Sequence, residues 1–126
     1  MFKDHSKTRT KLRDMTQLST FVIDCADPRK LADFYKAVLG WEITYSDDDF
    51  VYLGDRLAFQ RVENYRGPSW PDDAKHAHLD LSVEDLKQAE DLIKLGATRP
   101  DFQPGGDKWV VLRDPEGHPF CLTTSN

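Results

Sequence analysis

Cysteine is scarce in this chain. Cys25 and Cys121 are the two among 126 residues, too few for the disulfide framework of a small secreted domain, although one bridge between them stays open. No apolar run is long enough to cross a bilayer, and nothing has the order of a secretory signal. A reduced, cytoplasmic setting without a membrane partner is therefore expected. Chemical signatures are sparse as well: there is no phosphate-cradling glycine loop, no dinucleotide fingerprint and no Ser-His-Asp order. Basic surface is in short supply. The net charge is −5, and five of the 17 Lys and Arg residues (Lys3, Lys7, Arg9, Lys11 and Arg13) sit in the first fourteen positions. The remainder holds 12 basic and 20 acidic residues, a formal −8, which argues against nucleic acid as a partner because phosphates demand a basic face.

What remains suits one domain, since a chain of this length can bury roughly two-thirds of the surface its unfolded form exposes. Residues 1–14 are almost devoid of apolar side chains and read as a tail; residues 15–126 read as the folded domain. Ser19–Cys25 alternates as a strand, with Phe21 and Ile23 on the apolar side and Thr20, Val22 and Asp24 opposite. Asp27-Pro28 opens a helix whose stripe is Leu31, Phe34, Tyr35, Val38 and Leu39, and Gly40 closes it. Three short strands follow at Trp41–Tyr45, Phe50–Leu53 and Arg56–Val62, divided by Asp- and Gly-containing turns. The last of them puts Arg56, Ala58 and Gln60 on the side away from Leu57 and Phe59.

After a proline-rich linker at 64–75 the strongest alternation in the chain begins. In His76-Ala-His-Leu-Asp-Leu-Ser-Val83, Ala77, Leu79, Leu81 and Val83 share one face and His76, His78, Asp80 and Ser82 the other. Ser82-Val-Glu-Asp85 then reads as a capping box opening a helix that ends at Gly96. A weak strand at Thr98–Phe102 and two more at Lys108–Arg113 and His118–Thr123 complete the second half. The order of the first half (17–63) thus repeats in the second (76–124), and Val38-Leu-Gly-Trp41 echoes Lys94-Leu-Gly-Ala97. The fold class read from this is α+β: two βαβββ modules forming a curved, half-barrel, antiparallel-rich sheet around a shared hollow, since neither half can bury its helix stripe alone.

Taken together, Ile23-Asp-Cys-Ala-Asp27, Asp33-Phe-Tyr-Lys-Ala-Val-Leu-Gly-Trp41, His78-Leu-Asp-Leu-Ser-Val83 and Asp114-Pro-Glu-Gly-His118 resemble the vicinal oxygen chelate superfamily, the glyoxalase and bleomycin-resistance-like proteins, over residues 17–124. The resemblance implies a cytoplasmic homodimer that binds a small molecule in a cupped sheet, a lyase in some members, with a divalent metal held by the first and last strands of each module. Matching motif to motif, those positions are Thr20, Gln60, His78 and Cys121, and all four fall on the polar faces derived above. Threonine is a poor ligand and the last position carries a thiol in place of the family's carboxylate, so the metal set is incomplete for a hard ion.

His78 is accordingly the candidate catalytic residue, able to move a proton, touch a ligand or bind metal, or simply to satisfy a polar pocket. The candidate metal set is His78, Gln60 and Cys121; the candidate ligand-binding set adds Thr20, Arg56, His76 and Trp109. Trp109 and Arg113 with Arg56 can stack on and pair with a planar acidic ligand if they share a face. Trp70 in the linker is a candidate for the mouth of the pocket, and His118 for a local hydrogen bond. The leading function is a glyoxalase-like small-molecule-binding protein that sequesters its ligand or performs metal-free chemistry on it; the alternative is a metal-dependent lyase, isomerase or dioxygenase with altered ligands.

Overall fold

A computed structural model describes residues 13–124, so the tail expected at 1–14 lies almost wholly outside them. Strand β1 (Phe21–Cys25) leads into helix α1 (Pro28–Leu39), followed by β2 (Ile43–Ser46), β3 (Phe50–Leu53) and β4 (Leu57–Arg61). These strands form one sheet in the order β1-β4-β3-β2, with β1 and β4 parallel. In the second half β5 (Leu79–Val83) precedes a 3-10 turn (Leu86–Gln88), the short helix α2 (Ala89–Lys94), β6 (Trp109–Arg113) and β7 (Pro119–Thr124). Its sheet runs β5-β7-β6, again with the first and last strands parallel. Among the described residues two small sheets with few helices and no closed barrel make an α+β fold, and each sheet pairs the first and last strands of its half in parallel.

Helix α1 begins as its sequence demands. Asp27 accepts the Lys30 amide at 3.1 Å, Pro28 takes the first turn, and Gly40, at φ 73°, donates its N–H to the Lys36 carbonyl. Three expectations in the second half give way. His76 has a left-handed φ of 65° and lies before the strand, because β5 forms its ladder only where β7 can pair with it, from Leu79 opposite Phe120. Ser82 stays in that ladder opposite Thr123, so Asp85 caps the next turn, in a capping box with Gln88. Thr98–Phe102 contributes a single bridge, Thr98 to Arg113. Pro100 has no N–H to extend a ladder. The Gln103 amide takes over, accepting from the Val111 N–H and donating to the Val111 carbonyl, both at 2.9 Å.

The halves share one core on the helix side. The Tyr35 ring lies parallel to Phe59 of its own half, centroids 5.6 Å apart, and edge-on to Phe120 of the other at 6.2 Å. Around this contact, polar groups of the Asp114-Pro-Glu-Gly-His118 hairpin reach across. The Asp114 carboxylate, almost fully buried, accepts the Tyr35 hydroxyl at 2.8 Å, the His118 ring Nδ1 at 2.8 Å and the amides of Glu116 and His118. The Glu116 carboxylate takes the amides of Ala26 and Asp27.

His118 closes the joint. Its Nε2 lies 2.7 Å from the Asp24 carbonyl and 2.8 Å from the Tyr65 hydroxyl. A carbonyl can only accept, and the carboxylate at Nδ1 favours accepting, so both ring nitrogens donate and the imidazolium is the fitting form. Burial pulls its pKa down, but the hydrogen bond and charge of Asp114, the Asp24 carbonyl and the Glu116 charge outweigh that and leave it above the ordinary 6.5. A raised folded pKa gives stability that is complete below the unfolded value and is lost as pH rises through the folded one. Denaturant unfolding at pH 6 and pH 8.5 is expected to show that loss in the wild type, and His118→Asn to be less stable by about 1–3 kcal/mol at pH 6 with a flatter profile. Equal pH slopes for the two proteins would refute the assignment.

Candidate functional site

Thr20, half-buried just before β1, has its hydroxyl 3.2 Å from that of Ser19. Gln60 on β4 pairs with Asp24 and Phe50, half-buried on the face that carries Val22, Ala58 and Tyr52. Arg56 is exposed and donates to the Leu18 carbonyl at 3.1 Å. Of the proposed partners for a planar ligand, Trp109 and Arg113 do share a face of β6, and Trp109 lies over Gly105, where any side chain would come within 2.6 Å of the indole. His76 is exposed in its turn.

A closer grouping forms in the second half alone. β5 and β7 run in parallel register with Asp80 opposite Cys121, and His78, which like His76 lies before β5 and not in the expected strand, comes in beside them. One donor atom from each lies within 4.8 Å of the others. His78 Nε2 is 3.2 Å from an Asp80 oxygen, on a partly exposed pair of side chains. Cys121 is 5% exposed. Burial raises the pKa of its thiol; the Asp80 charge and hydrogen bond push in the same direction, and Lys75 opposes them. Cys25, on the helix side, is a different case, buried among acidic groups with its pKa pushed up to about 12.

Asp80 sets a carboxylate beside the Cys121 thiol from the neighbouring strand. The alternation of the His76 segment already put it on the right face; its proximity to Cys121 depends on the β5/β7 register, which no local pattern reveals. A cavity of about 230 Å³ opens beside this group between β1 and the approach to β5, lined by Phe21, Val22, Leu79, His78, Tyr35 and His118 among others. Thr20, Gln60 and Cys121 do not line it.

A family model described as a glyoxalase-like domain matches residues 20–123. The chain belongs to the glyoxalase-like family, within the vicinal oxygen chelate superfamily. Solved structures agree on the fold of this glyoxalase-like protein. A glyoxalase-related enzyme from Fulvimarina pelagi is 20% identical with a TM-score of 0.62, over 87% of this chain and 88% of that one. A fosfomycin resistance protein from Mesorhizobium loti is 20% identical with a TM-score of 0.64 over 87% and 92%. The trypanothione-dependent glyoxalase I of Leishmania major is 21% identical with a TM-score of 0.61 over 86% of each chain. No curated protein matches the sequence. Among the described residues no helix is long and apolar enough to cross a membrane.

Removing the Asp80 charge takes away one of the causes that hold the Cys121 thiol protonated. Asp80→Asn is therefore expected to shift the pH profile of Cys121 alkylation, followed by mass spectrometry, to lower pH. An unshifted profile would separate Asp80 from the thiol.

Proposed function

We propose that this glyoxalase-like protein binds a small, largely apolar molecule between its modules and presents a polar group of that molecule to His78. The cluster of His78, Asp80 and Cys121 carries the reading, because His78 belongs both to it and to the wall of the inter-module cavity. At about 230 Å³ the cavity falls below the roughly 300–1,000 Å³ of sites for drug-sized ligands, so a small metabolite fits. His78 lines the cavity with Asp80 beside it, so its imidazole takes a hydrogen bond or a proton from the ligand and Asp80 stabilises the imidazolium that results. Binding alone gives sequestration; a ligand carrying an acidic proton gives metal-free proton transfer.

A second reading has its own support. Imidazole, carboxylate and thiolate form a donor set for a borderline or soft divalent ion such as zinc and a poor one for magnesium, which prefers oxygen throughout. His78, Asp80 and Cys121 would hold such an ion, which would polarise a ligand oxygen, as a metal-dependent lyase, isomerase or dioxygenase requires. The fosfomycin resistance protein and the trypanothione-dependent glyoxalase I share the fold but differ in named function, so the fold itself does not choose.

Metal analysis of protein purified without chelator, repeated on His78→Ala and Asp80→Asn, decides between the two. The first reading expects far less than one equivalent in all three proteins, together with chemical-shift changes at Phe21, Val22 and Leu79 when a set of small carbonyl and carboxylate compounds is titrated in. One equivalent of zinc that disappears with either substitution would select the second.

A cytoplasmic homodimer completes the proposal. Its support is the bare face of the first sheet, where Val22 is 42% and Tyr45 51% exposed and Tyr45, Tyr52 and Phe50 lie in a row with centroids about 6 Å apart. Light scattering is expected to give twice the chain mass for the wild type and a shift toward the monomer for Tyr45→Asp. A monomeric wild type would remove this part of the reading.

A further inference from the structure

The linker does something unusual for a polar, proline-rich segment: it buries an indole. Trp70 is 7% exposed and packs on Val111 and Cys121, making a small second core on the sheet face that carries Asp80 rather than on the helix side. Little else anchors this part of the linker. Residues 71–74 are exposed, and its internal backbone bonds, Asp73 to Ser69 and Ala77 to Lys75, are local. The ring is held by Lys75, whose Nζ lies 4.5 Å from its centroid, and by Phe102, tilted against it at 5.6 Å and itself 54% exposed. Its carbonyl accepts from Arg113 Nη2 at 2.6 Å.

Neither cation has a carboxylate partner among the described residues, in a chain whose acidic groups outnumber its basic ones. Lys75 leans on a ring and Arg113 on a carbonyl, and both partners belong to the same residue. If the indole moves out, it leaves a flat apolar slot floored by Val111 and Cys121 and rimmed by Phe102, with Lys75 freed at its edge and Arg113 beside it on the Trp70 carbonyl.

We propose that Trp70 holds the place of a ligand: a planar aromatic carboxylate lies in the indole slot with its carboxylate on Lys75 and Arg113, and Trp70 swings outward to admit it. The slot is separate from the inter-module cavity, which Trp70, Val111 and Cys121 do not line, and it goes beyond the proposed function by giving the Asp80 face of the second sheet a ligand class of its own. Binding must displace the indole, so the wild type binds more weakly than a chain without the ring. An ammonium or guanidinium on a carboxylate gives a charge-assisted bond that a neutral amide does not.

Naphthoate and its neutral amide, titrated by calorimetry, test this. Trp70→Ala is expected to bind naphthoate about tenfold more tightly than the wild type, and Lys75→Ala in that background to lose about tenfold, as does exchanging naphthoate for naphthamide. Bound naphthoate shields Cys121 from alkylation, while Cys25 stays unreactive throughout. Trp70→Leu, which keeps an apolar cover of smaller size, provides the reading if Trp70→Ala melts early. No saturable binding to a folded Trp70 variant overturns the proposal, as does equal affinity for acid and amide, or a Cys121 as reactive with the probe bound as without it. His78→Ala is the separating control: slot binding is expected to survive it, and failure of the slot leaves the cavity titration and the metal analysis at His78 untouched.

Discussion

A single buried carboxylate joins the two halves. Asp114 sits where an ionised group is costly unless its oxygens are filled with donors, and it collects the Tyr35 hydroxyl from α1, the His118 ring and two amides of its own hairpin. Two of those donors extend the constraint. Tyr35 is the aromatic pivot between Phe59 and Phe120, and His118 reaches on to β1 through the Asp24 carbonyl and to the linker through Tyr65. The geometry of the inter-module cavity follows, since Tyr35 and His118 are two of its walls.

The chemistry gathers on the opposite face of the second sheet for a topological reason. Parallel pairing of β5 with β7 sets Asp80, two residues past His78, in register with Cys121. A shift by one residue would turn Asp80 toward the helices. The linker then covers the thiol with Trp70 while leaving His78 and Asp80 open to solvent. A donor set half covered and half open is one whose access can be controlled by a few residues of loop.

Membership of the glyoxalase-like family accounts for the architecture and leaves the chemistry to individual side chains. The second module sets an imidazole, a carboxylate and a thiol together, a softer donor group than one of oxygen and nitrogen alone.

Much of this was legible in the residues. The doubled strand-helix-strand order, the Asp27-Pro28 start and Gly40 stop of α1, and the polar face holding His78, Asp80 and Cys121 all follow from local periodicity and capping, whose range is a few residues. Where local signals competed, they misled: Ser82 looked like a cap but was claimed by the ladder, and Thr98–Phe102 looked like a strand but was interrupted by Pro100. His118 was readable as a local partner of its own turn, yet its bond to a carbonyl 94 residues away was not. The sequence by itself determined the fold class and which side chains face which way, because alternation and helical period are encoded residue by residue. The meeting of Asp80 with Cys121, the Asp114 joint and the burial of Trp70 were decided by tertiary structure, because strand register and module packing are set by the summed burial of the whole core and not by any one segment.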